Sequence, residues 1–142
     1  MSNAYTVLKN KHQEEVNAFP FMFAFGEKQF EEGMKSLGLT PKDTDKIYSI
    51  GSGGFIRKTD EEAMNEMFSR HEKERTEAVA QDKTGEGYIY EMFLYEMGNH
   101  EYGYTGEIEP VLAAVGLTYE EIMNTPALKN GFVKAQKKCR SN

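Results

Sequence analysis

The strongest constraint in this sequence is a long helical stripe that stops at a glycine-rich turn and is followed at once by a second one. Met64, Met67, Phe68, His71, Arg75, Ala78 and Val79 recur at intervals of three and four, the spacing that gathers side chains on one face of a helix. Thr59-Asp60-Glu61-Glu62 ahead of the stripe reads as a capping box, Thr59 accepting from a backbone N–H and Glu62 reaching back. Asp82-Lys83-Thr84-Gly85-Glu86-Gly87 ends it. A second helix then runs from Tyr88 to about Glu101, with Ile89, Met92, Phe93, Glu96 and His100 on one side. Helices joined by so short a connection pack antiparallel, so the sequence predicts a central antiparallel helical hairpin.

The flanking segments are shorter. Tyr5 to Ala18 is expected to be a helix of modest amphipathicity, since Leu8, His12, Glu15, Val16 and Phe19 fall at helical spacing but only three of the five are apolar. Phe21 to Phe25 reads as a buried strand, and Glu27 to Leu37 as a helix stopped by Gly38. Ile47 to Ile50 and Phe55 to Lys58, separated by Gly51-Ser52-Gly53-Gly54, form a hairpin pattern in which glycine supplies positive φ. Two or three further short helices are expected, over Glu107 to Val115, Tyr119 to Met123 and Pro126 to about Lys138. The fold class is therefore α+β, mostly helical, with a small antiparallel β-sheet.

A length of 142 residues, with 39% hydrophobic residues, 9 Phe, 8 Tyr and 8 Met, suits one domain over 1–142 with its own core. The first four residues are expected to be flexible. Lys and Arg total 17 against 23 Asp and Glu, a net charge of -6, which disfavours direct nucleic-acid binding because that needs a basic face. Cys139 is the lone cysteine, so a disulfide framework is excluded and a cytoplasmic location is the simplest expectation. No apolar run is long enough to span a bilayer.

The hairpin carries one polar cluster. Residues equidistant from its turn should face each other, which brings His71 and Arg75 to the level of Glu96 and His100. Buried polar groups must pair, and the expected arrangement is an Arg75–Glu96 ion pair with both histidines satisfied by neighbours. The alternative is a metal-dependent hydrolase in which His71, Glu96 and His100 hold zinc or iron with open positions. Arg75 would compete for the carboxylate there. The reading therefore favours a protein without catalysis and without a cofactor. His12, on a polar stretch, carries no inference.

Tyr88, Tyr95 and Tyr102 share roughly one helix face and form either a core contact or an interface, including that of a homodimer. The Gly51–Gly54 stretch lacks the lysine of a phosphate loop, and the Asp82–Gly87 turn is too short for a calcium loop.

Ser52-Gly53-Gly54-Phe55-Ile56-Arg57-Lys58-Thr59-Asp60, and the stretch from Asp82-Lys83-Thr84-Gly85-Glu86-Gly87 through Asn99-His100-Glu101-Tyr102, resemble a group of small proteins encoded by gut-bacterial phages and mobile elements. The likeness spans nearly the whole chain from Phe19 onward. No activity is established for that group, so the resemblance implies only a context, in which small acidic proteins bind and modulate host machinery such as defence nucleases. The expected function is that of a non-catalytic acidic binding protein with a protein partner, inhibiting a nucleic-acid enzyme whose basic channel complements Glu61, Glu62, Glu66, Glu72 and Glu77.

Overall fold

The computed structural model describes residues 3–141 and is α+β, mostly helical, with a three-stranded antiparallel sheet. Along the chain run α1 (Ala4–Ala18), β1 (Met22–Phe23), α2 (Glu27–Ser36), β2 (Ile47–Gly51), β3 (Gly54–Arg57) and α3 (Glu61–Gln81). They are followed by α4 (Tyr88–Asn99), α5 (Tyr102–Thr105), α6 (Glu109–Val115), α7 (Tyr119–Asn124) and α8 (Pro126–Arg140). Packing divides the chain into two compact units, Met1–Lys11 with Lys73–Asn142, and His12–Glu72. Both boundaries run through helices, α1 and α3.

In the first unit the turn after α3 folds as its sequence demands. The Asp82 carboxylate accepts from the backbone N–H groups of Gly85, Gly87 and Ile89 at 3.0–3.1 Å, satisfying donors that open a helix without an intrahelical partner. The returning helix α4, however, packs principally against α8. The physical reason is composition: α4 buries Ile89, Met92, Phe93 and Met97, whereas the 73–81 part of α3 offers this core only Ala78 and Val79. Phe93 and Phe132 meet edge to face with centroids 5.2 Å apart, and Val111 and Ile122 are fully buried beside them. Gly131 allows this approach, because a Cβ there would lie 2.5 Å from the carbonyl oxygen of Gly85 and 2.6 Å from Cγ2 of Ile89.

The expectation of flexibility over residues 1–4 needs dividing. Met1 and Ser2 lie outside the described residues. Asn3 caps α1, its side-chain oxygen accepting from the N–H of Thr6 at 3.1 Å, and the N–H of Ala4 donates to Glu91 at 2.8 Å.

In the second unit the strands are ordered β1-β3-β2, with Met22 opposite Phe55 and Tyr48 opposite Ile56. Met22, Met34 and Leu37 form a small core, joined by Phe30, Ile47 and Phe55. Gly51 and Gly53 take φ of +87° and +78° in the hairpin loop, with Ser52 between them at +52°. Thr59 does not cap α3. It sits inside a 310 turn, Lys58–Asp60, so its backbone lacks the extended conformation an N-cap needs, and Asp60 is held by Arg57 Nε at 2.7 Å. A reciprocal capping box forms at Thr118 and Glu121 instead, at the start of α7. No helix among the described residues is long and apolar enough to cross a membrane.

Candidate functional site

The polar residues singled out on the stripes of α3 and α4 find their partners on α1. Tyr5, Lys9, His12 and Glu15 recur at intervals of four, three and three on that helix, placing them along one face. Tyr5 and Lys9 belong to the first unit, His12 and Glu15 to the second.

In the first unit Glu96 is buried, 3% exposed. Its Oε2 accepts from the Tyr5 phenol at 2.6 Å and lies 3.8 Å from Lys9 Nζ. Those two groups supply what Arg75 was expected to supply. Arg75 is exposed and acts on the phenol of Tyr88, opposing the rise in pKa that burial imposes there. Burial, reinforced by the adjacent carboxylate, holds the Tyr5 phenol well above its ordinary pKa. His100 ends α4, its backbone N–H donating to the carbonyl of Glu96 at 3.0 Å. Within this unit Glu96 is therefore partnered from α1, by Tyr5 and Lys9, and not by Arg75.

In the second unit His71 is 2% exposed and its Nε2 lies 2.5 Å from Oε2 of Glu15. The other carboxylate oxygen of Glu15 takes Arg70 Nη2 at 3.0 Å, and the two cationic or donor partners, Arg70 first, hold the Glu15 pKa below its ordinary value. The ring of His12, 7% exposed, stacks on that of His71 with centroids 3.9 Å apart and planes 18° from parallel. Phe68 presents its ring edgewise to His71 at 6.2 Å. His12, Glu15 and His71 form a group in which one ligand atom from each lies within 4.8 Å of the others. Sequence reasoning passed over His12 because its neighbours in sequence are polar. The signal was the i, i+3 pair His12–Glu15 on a face that continues Tyr5.

The tyrosine face divides as well. Tyr88 and Tyr102 are buried, at 8% and 6% exposure, so they are core residues and not an interface. Tyr88 meets the ring of Tyr5 at 5.5 Å, and the hydroxyl of Tyr102 accepts from Gln136 at 2.9 Å. Tyr95 is part exposed and lies 5.6 Å from Tyr5. The acids Glu61, Glu62, Glu66, Glu72 and Glu77 are all exposed.

A second surface was misread. Phe21 to Phe25 was expected to be buried, but Phe23 is 57% and Phe25 78% exposed. The strand β1 has two residues at the edge of the sheet, so it covers one face only, with Met22 turned to the core. The rings of Phe19 and Phe21 lie 4.8 Å apart, just ahead of the strand. The ring of Phe23 and the side chain of Ile50 both close on Gly54, and the ring of Phe25 covers Gly53. Phe21 reaches Phe23 and Phe68, each at 6.3 Å. The result is an apolar surface on the second unit, with exposed Phe68 and Ile50 at its ends.

No curated protein and no solved structure matches the chain. A family model described as a family of unknown function, DUF7659, matches residues 4–138, from the first turn of α1 almost to the end of α8. The match includes the Tyr5–Glu96 pair, the stacked histidines and the phenylalanine surface alike, and the chain belongs to that family.

Proposed function

We propose that the protein is a non-catalytic binding module that engages another protein through the phenylalanine surface of its 12–72 unit. The observation that carries the reading is the exposure of Phe23 and Phe25, joined to Ile50 over the hairpin glycines. Exposed apolar surface of this kind is unfavourable in water and characteristic of interaction sites, and aromatic residues dominate the energetic centres of protein interfaces. On α3 the exposed Glu61, Glu62, Glu66 and Glu72 share a helix with Phe68. Apolar centre and acidic flank together suit a partner with an apolar groove rimmed by lysine and arginine, since complementary charge guides encounter and orientation. A nucleic-acid enzyme with a basic channel fits that description, and the resemblance to phage and mobile-element proteins supports reading it as an enzyme of the host.

The test compares the natural chain with Phe23→Ser/Phe25→Ser in affinity capture from bacterial lysate at two salt concentrations. The expected result is a stoichiometric partner retained by the natural chain, weakened by salt and lost with the double variant. Equal capture by both forms, or none by either, overturns the proposal. Light scattering distinguishes a self-associating chain, which would transfer the surface to a homodimer.

A further inference from the structure

We infer that His12, Glu15 and His71 bind one divalent transition-metal ion, of which zinc is the representative probe. The site goes beyond the proposed binding surface and requires neither that surface nor its partner. Two imidazoles and a carboxylate are a donor set suited to zinc or iron, leaving further positions for water. The donors come from two helices, His12 and Glu15 from α1 and His71 from α3, and one ligand atom from each already lies within 4.8 Å of the others. Around a tetrahedral ion with bonds of about 2.0–2.1 Å, donors sit about 3.3 Å apart, so the His71–Glu15 pair at 2.5 Å opens by about 0.8 Å while the wider separations close by up to about 1.5 Å.

The chemistry around the trio favours that closure. Glu15 divides its oxygens, Oε1 to Arg70 at 3.0 Å and Oε2 to His71 at 2.5 Å. An ion entering between Nε2 of His71 and Oε2 of Glu15 takes the place of the hydrogen between them. Arg70 stays on the far oxygen and holds the carboxylate in orientation, the role that outer hydrogen bonds play at metal sites. Both imidazoles are withdrawn from water, at 7% and 2% exposure, and Phe68 shields His71. The stack changes too: rings 18° from parallel direct their in-plane lone pairs side by side, so the His12 ring tilts out of the stack as the ion binds.

The experiment is isothermal titration of zinc chloride alone into the full chain in a non-chelating buffer. The chain has three histidines, which makes the controls complete. One zinc per chain is expected, bound with unchanged affinity by His100→Ala and at least roughly a hundredfold more weakly by His12→Ala and by His71→Ala, exceeding the ~10–100-fold loss typical of outer-shell changes. Histidine ring NMR of the natural chain gives a second readout that does not depend on either variant folding. Zinc should shift the His12 and His71 resonances and leave those of His100 in place. No stoichiometric binding, or shifts confined to His100, overturns the inference.

Discussion

The phenol of Tyr5 donates to the carboxylate of Glu96 at 2.6 Å, joining residues 91 positions apart in sequence. Among the described residues no buried side-chain polar atom lacks a partner, and this bond is one reason. Replacing Tyr5 by Phe leaves Glu96 buried with Lys9 at 3.8 Å. Tyr5→Phe should destabilise by about 1–3 kcal/mol, the cost of an unsatisfied buried acceptor. Adding Glu96→Leu should give a double variant whose loss falls short of the sum of the singles by about 0.5–3 kcal/mol. Urea denaturation measures both.

The same contact makes stability sensitive to alkali. Burial raises the Tyr5 pKa above its ordinary 10.0, so the folded state resists losing that proton more than the unfolded state does. Its contribution is complete below pH 10.0 and declines as pH rises toward the folded-state value. Stability of the natural chain should fall more steeply above that pH than that of Tyr5→Phe. A residual slope from Tyr88, whose pKa burial also raises, should remain in the variant. Denaturation midpoints across the alkaline range check it.

At Glu15 the sign reverses. Arg70 and then His71 lower its pKa below the ordinary 4.5, so its contribution is complete above that value and is lost as pH falls through the folded-state pKa. Glu15→Gln should flatten the acid limb of the stability profile while leaving the alkaline limb unchanged. An acid limb identical to that of the natural chain would contradict the arrangement of Glu15 with Arg70 and His71.

Two glycines should respond oppositely to alanine. Gly131→Ala places a methyl against the backbone of Gly85 and the side chain of Ile89, and should cost about 1–3 kcal/mol through overpacking. Gly98, within α4, has open space where its Cβ would stand. Gly98→Ala should stabilise by about 0.5–1 kcal/mol. Thermal unfolding of the two variants reads the difference.

The parts legible in the sequence were those written locally. Gly38 stops α2 with a φ of +76° and Gly51 and Gly53 turn the hairpin, because positive φ is a property of one residue. The strands and helices follow from periodicity over a few positions. The polar site was not local. Glu96 and His71 were recognisable as interruptions of apolar stripes, but their partners lie on α1, whose useful face is itself polar and so gave little hydrophobic periodicity. The phenylalanine surface failed for a different reason. A short apolar run rich in aromatics identifies the strand, yet such a run does not say which face turns inward, and here Met22 is buried and Phe23 is not.

The most direct test of the binding proposal is photo-crosslinking in living bacteria, with a benzophenone amino acid placed at Phe25 and, as a control on the other unit, at exposed Tyr104. The account predicts one discrete crosslinked product with a different protein from position 25 and none from position 104. A position 25 that yields no product, or only a dimer of this chain, would contradict it.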